Sequence, residues 1–150
     1  MKLTRRSVLF GTGALGIAAV GGYAFLRTPA RADGVRVLTP PQALAAVEAG
    51  DLLLVDVRRP DEWQSTGIAK GAVPIDLRRD DFAEAVRAAR VSDTQPIAVI
   101  CARGVRSARM TRVLTEAGLT PLVDIPEGML GSRSGPGWLE RGLPITKWGG

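Results

Sequence analysis

The sequence predicts an α/β domain built on a mainly parallel sheet, and three observations carry that reading. Leu52-Leu53-Leu54-Val55-Asp56-Val57 and Ile97-Ala98-Val99-Ile100 are continuous apolar runs of strand length with little polar alternation, the pattern of strands covered on both faces. Stretches of helical spacing fall between and after these runs. The second run also empties into a short polar loop and then a helix, the strand–loop–helix order of a parallel sheet.

In chain order, Val35-Arg36-Val37-Leu38 reads as a first strand. Thr39 caps a helix opened by Pro40 or Pro41 and stopped at Gly50, with Leu44 and Val47 expected to face the core. After the second strand, Pro60, Asp61 and Glu62 begin a short helix around Trp63. Ala72-Val73-Pro74-Ile75 suits an edge strand, because Pro74 has no N–H for a ladder. Asp80 and Asp81 start a helix with Phe82, Val86 and Ala89 on one face. Beyond the Ile97–Ile100 strand a helix is expected from about Ser107 to Ala117, with Met110, Val113 and Leu114 as its apolar stripe and Gly118 ending it. Leu122-Val123-Asp124-Ile125 is a fifth strand, followed by a glycine-rich segment and a short helix at Trp138-Leu139-Glu140. Trp63 and Trp138 read as core.

The chain has 150 residues and a formal charge of +5, but the excess is local. Lys2, Arg5, Arg6, Arg27 and Arg31 precede the first acidic residue, Asp33, and the remainder is formally balanced. A neutral domain offers no basic face for nucleic acid. Residues 1–32 read as an export signal: a basic start, an uncharged run from Val8 to Leu26, and Ala30-Arg31-Ala32 as a small-x-small cleavage site. Thr4-Arg5-Arg6-Ser7-Val8-Leu9 resembles a twin-arginine signal, which implies a periplasmic or otherwise exported domain at 33–150. The alternative is an uncleaved membrane anchor, since the uncharged run nearly reaches the ~20 residues that span a bilayer. Contact with a membrane is expected only through that N-terminus.

Cys101 is the chain's single cysteine, and an unpaired thiol in an exported protein points to chemistry or to an intermolecular bond. It lies in Ile100-Cys101-Ala102-Arg103-Gly104-Val105-Arg106-Ser107, at a strand end that feeds a helix. Amides at a helix N-terminus, together with the helix dipole, favour negative charge, so a thiol placed there is expected to ionise easily. Gly104 suits a loop that curls its amides inward, and Arg103 and Arg106 bring fixed positive charge. The plainer readings are a small buried apolar residue for Cys101, a solvated charge for Arg103, and an arginine paired with an acid for Arg106. Asp56 and Arg58 lie at a strand's C-terminal end, where parallel-sheet proteins place ligands, although a structural pair such as Arg58 with Glu62 is the simpler expectation. The sequence contains no histidine, which excludes Ser-His-Asp and Cys-His catalysis, and it has no metal-ligand spacing.

Four motifs in order give the chain a resemblance to single-domain rhodaneses, the thiosulfate sulfurtransferases. They are Asp56-Val57-Arg58 with Glu62 and Trp63; Thr66-Gly67-Ile68 with Gly71-Ala72; Cys101 to Ser107; and Glu127-Gly128-Met129 followed by Gly137-Trp138 and Gly142-Leu143-Pro144. The resemblance implies a five-stranded parallel sheet flanked by helices. It also implies a persulfide on Cys101, donor sulfur held by the loop residues Ala102, Arg103, Gly104, Val105 and Arg106, and no cofactor. The partners it implies are a small-molecule sulfur donor such as thiosulfate and a small acceptor, cyanide or a thiol, with a protein acceptor as a variant. Two histidines frequent in that family are absent, one before the Gly71-Ala72 pair and one where Ile100 stands. The rival readings are a persulfide carrier, a silent binding module, and a cysteine phosphatase or arsenate reductase. The last of these carries five residues between cysteine and arginine, whereas Cys101 and Arg106 are separated by four.

Overall fold

Five short segments pair side by side in the order β1-β6-β5-β2-β4, all parallel. They are β1 (Arg36–Val37), β2 (Leu53–Asp56), β4 (Val73–Pro74), β5 (Ile97–Ile100) and β6 (Leu122–Asp124). The computed structural model describes residues 28–149. The expected basic start, the Arg5-Arg6 pair and the uncharged run to Leu26 lie outside the described residues. No helix among the described residues is long and apolar enough to cross a membrane.

The central strands are buried at every position, which is why they read as unbroken apolar runs. One face of the sheet packs Leu53, Val55 and Val99 against Phe82 and Val86 of α3 (Phe82–Ala89) and Met110 and Leu114 of α4 (Val105–Glu116). The other packs Leu54, Ala98 and Ile100 against Ala43 and Ala46 of α1 (Pro40–Glu48) and Trp138 of α5 (Gly137–Glu140). On α1 the small residues are therefore the buried face, while Leu44 and Val47, expected to face the core, flank it half-buried. Short side chains let the helix lie close to the sheet.

Two further strands, β3 (Ile68–Ala69) and β7 (Ile145–Thr146), form a small antiparallel sheet that has no counterpart among the strands expected from the sequence. Each has two residues, too few for an alternation to show, and β7 is exposed. Helix α4 starts at Val105, two residues before the expected Ser107, because Gly104 serves as N-cap at φ +86°. Its other end closes as a Schellman motif, with Gly118 N–H bonded to Thr115 O and Leu119 N–H to Leu114 O.

Around the expected cleavage site the chain is folded onto the domain. Arg31 N–H donates to Val35 O at 2.8 Å, Ala30 bridges to Arg36, and the Arg31 guanidinium reaches the Asp124 carboxylate at 3.1 Å.

Candidate functional site

Parallel strands end on the same edge, and that edge gathers Asp56 from β2, Cys101 just after β5 and Asp124 from β6. Cys101 is 1% exposed and belongs to the core beneath α4, so burial, the plainer expectation for it, is found. Its sulfur is nevertheless in a polar setting: the Gly104 N–H donates to Sγ at 3.1 Å. The first amides of α4, those of Val105, Arg106 and Ser107, have no acceptor within the helix and add to the positive end of its dipole. Of the five loop residues expected to hold donor sulfur, Gly104 is the one whose N–H is bonded to Sγ.

The loop keeps this shape because a second segment holds it from behind. Met129 N–H takes the Cys101 carbonyl and Leu130 N–H the Ala102 carbonyl, both at 2.9 Å. Gly104 and Gly128 sit at positive φ, where a side chain is strained. A Cβ at Gly104 would run into the Pro126 carbonyl, and one at Gly128 into the Ala102 carbonyl. Both glycines are therefore requirements of close approach. Glu127, 2% exposed, anchors the bracing segment by accepting from Arg141 at 2.8 and 2.9 Å and from the Gly137 N–H at 3.0 Å. Arg141 holds its carboxyl below the usual range. The Glu127-Gly128-Met129 triplet was visible in the sequence, but nothing local to it marks Glu127 as an anchor.

Arg106 takes the partner-bound state. Its Nη1 and Nη2 donate to the two carboxylate oxygens of Glu62 at 2.7 and 2.6 Å. Glu62 sits on α2 (Pro60–Thr66), three residues after the N-cap, and also accepts from the Arg59 N–H at 3.1 Å. The Arg106 hydrogen bonds pull the Glu62 carboxyl down to about 2. Glu62 in turn raises the Arg106 guanidinium, and the nearby Cys101 and Asp56 add to that rise. Arg103 is exposed and donates to Gly131 O at 3.4 Å.

The expected pairing of Arg58 with Glu62 is not what forms. Arg58 Nε meets Asp56 Oδ1 and Oδ2 at 3.0 and 3.1 Å, and Nη2 meets Oδ2 at 2.7 Å. Nη1 donates to Thr66 Oγ1 at 2.8 Å and Nη2 to Gly67 O at 2.7 Å. A partner two residues away is within reach before any helix is placed, so the local acid takes Arg58 and leaves Glu62 to Arg106. The guanidinium is 1% exposed and all three of its nitrogens are engaged, which makes the pair a buried tie between β2 and the end of α2. A cleft lined by Thr66, Gly67, Ile145 and Trp148 lies by this end of α2. Among the described residues, no group of three or more His, Cys, Asp or Glu is placed to hold a metal ion.

The geometry is that of a thiol set against a helix N-terminus within a braced loop, and the fold that carries it is shared with solved structures. Rv0390 of M. tuberculosis superposes with a TM-score of 0.59 at 29% identity, over 75% of this chain and 97% of that one. The polysulfide-sulfur transferase homodimer of Wolinella succinogenes gives 0.60 at 26% identity, over 76% and 80%. A Rhodopseudomonas palustris protein described as a possible tyrosine phosphatase gives 0.56 at 25%, over 93% and 100%, which shows how broadly the fold is used. No curated protein matches the chain significantly. The family model for the rhodanese-like domain matches residues 39–131, from the cap of α1 through the segment that braces the cysteine loop. By that match, with sulfurtransferase structures among its neighbours, the chain belongs to the rhodanese-like family.

Proposed function

We propose that the protein is a sulfurtransferase that carries sulfane sulfur as a persulfide on Cys101, taking it from thiosulfate or a similar donor and passing it to cyanide or a thiol. The observation that carries this reading is the hydrogen bond from the Gly104 N–H to Cys101 Sγ at the start of α4. In the first half-reaction the Cys101 thiolate attacks the outer sulfur of thiosulfate. A sulfur–sulfur bond forms to the cysteine, the donor's own sulfur–sulfur bond breaks, and sulfite leaves with the electron pair. The persulfide's negative terminal sulfur is then stabilised by the first amides of α4, as an oxyanion is by its donors. In the second half-reaction the acceptor attacks that terminal sulfur, thiocyanate forms when the acceptor is cyanide, and the thiolate is restored.

Family membership and the neighbouring polysulfide-sulfur transferase support sulfur transfer in general, and the choice of donor is ours. A protein acceptor would make the same persulfide a carrier. The four residues between Cys101 and Arg106 form a smaller ring than the five of cysteine phosphatases, which favours a single sulfur over a tetrahedral oxyanion. The basic start, uncharged run and small-x-small site of residues 1–32 support export of the domain, cleaved or anchored.

Intact mass after thiosulfate treatment is the test. One added sulfur atom that cyanide removes is expected, and Cys101→Ser should abolish both the gain and turnover, since a hydroxyl cannot form a persulfide. Undiminished turnover in Cys101→Ser would refute the assignment. The mass of exported protein also shows whether residues 1–32 are removed.

A further inference from the structure

We infer that Glu62 sets the charge of the donor, and that by neutralising Arg106 beside Cys101 it tunes the site to singly charged sulfane-sulfur donors over the doubly charged thiosulfate. This inference rests on the sulfur-transfer reading above and concerns which donor that reaction prefers.

Two arginines of the cysteine loop, Arg103 and Arg106, bring positive charge to the segment that holds Cys101, and Glu62 pairs with the second of them. Arg106 lies in the first turn of α4, two residues after Gly104, whose N–H donates to Cys101 Sγ at 3.1 Å. Both of its terminal nitrogens are nonetheless taken by Glu62, at 2.6 and 2.7 Å. Glu62 is not a loose surface acid that a donor could push aside. It is 20% exposed, and its carboxylate is also tied to the Arg59 N–H at 3.1 Å and to Arg59 Nε at 3.5 Å. Arg106 and Glu62 cancel as a pair, which leaves Arg103 at the exposed rim as the charge the loop offers a donor. Each negative charge on a donor forgoes the attraction that Arg106 would otherwise supply, so a doubly charged donor loses about twice what a singly charged one loses.

Thiosulfate and methanethiosulfonate make a matched pair for the test, because both carry an outer sulfur on a sulfonyl group and differ by one charge. Attack by the Cys101 thiolate on either forms the same persulfide, with sulfite leaving in one case and methanesulfinate in the other. Thiocyanate formation under saturating cyanide reads both. Glu62→Gln removes the charge while leaving an oxygen to accept the Arg59 N–H, so the start of α2 is preserved. In the wild type, kcat/KM is expected to favour methanethiosulfonate. Glu62→Gln should raise kcat/KM for thiosulfate about tenfold, the scale of one partly exposed charge pair, and change that for methanethiosulfonate less than about threefold. Adding Arg106→Gln to Glu62→Gln should cancel the gain, which marks it as acting through Arg106.

An unchanged donor ratio in Glu62→Gln, or an equal fall for both donors, would overturn the inference and leave Glu62 a brace. A wild-type protein that takes sulfur from neither donor, with no sulfur gained by Cys101, would instead remove the sulfur-transfer reading itself.

Discussion

Two three-residue clasps of the same design follow neighbouring strands, one inside the molecule and one in water. Asp56-Val57-Arg58 ends β2, and Asp76-Leu77-Arg78 lies just beyond β4. In each, one aspartate oxygen accepts the arginine's own N–H and Nε, at 3.1 and 3.0 Å in the first clasp and 2.9 and 3.0 Å in the second. In each, Nη2 takes the other oxygen, at 2.7 and 2.5 Å. Arg58 and Asp56 are 1% and 0% exposed, whereas Arg78 and Asp76 are 61% and 16% exposed. The geometry is the same and the consequence is not. A desolvated charge depends on its partner, while an exposed one has water as a substitute.

The largest expected effect follows directly. Asp56→Ala strands the Arg58 guanidinium in the interior, and loss of one partner of a buried pair costs about 3–5 kcal/mol. The thermal midpoint should fall by at least ~10 °C, or cooperative unfolding should be lost. Adding Arg58→Met removes the orphaned charge, so the double variant should recover part of that loss in the same melt. A double variant no better than the single would mean that shape, not charge, carries the tie.

Burial also decided how much of this could be read in advance. The central strands β2 and β5 were the most legible, because strands covered on both faces are apolar throughout. The β3 and β7 strands were not, because two-residue strands leave no pattern. At the site, Cys101, Gly104 and the helix that follows stand together in the sequence and were found together in space. The partner of Arg106 was not legible, since Glu62 lies 44 positions away and reaches it only because their strands are neighbours. Nor was Asp124, one residue of an ordinary strand in the sequence, marked as a buried carboxylate that Arg31 would reach.

Glu62 and Asp124 extend the same contrast to pH, with opposite signs and a smaller effect. Glu62 is lowered to about 2 by Arg106, so its contribution is fully present above its unfolded value near 4.5 and is lost as pH falls toward 2. Asp124 is 1% exposed, its Oδ1 has no hydrogen-bond partner, and burial raises its pKa despite Ser107 and Arg31. The folded state therefore holds that proton more tightly, and stability is lost as pH rises from about 3.8 through the raised value. In melts from acid to neutral pH, Glu62→Gln should flatten the acid limb. Asp124→Asn should raise the midpoint at neutral pH by roughly a few degrees and leave the acid limb in place. A neutral-pH midpoint lowered by Asp124→Asn would show that the pairing with Arg31 outweighs desolvation.

The smallest effect is expected where the comparison began. Arg78 lowers the Asp76 carboxyl, so the outer clasp is formed above the carboxylate's usual range and opens as pH falls below it. At neutral pH, Asp76→Ala loses the same set of hydrogen bonds that Asp56→Ala loses, but Arg78 stays in water and is rehydrated at once. The thermal midpoint should shift by less than about 2 °C, and added salt should shrink even that, because exposed pairs are screened. The buried clasp offers salt no access, so the Asp56→Ala loss should persist unchanged in the same buffers. A drop in Asp76→Ala comparable to that in Asp56→Ala would show that the turn geometry itself holds the strand end, and burial would cease to be what separates the two.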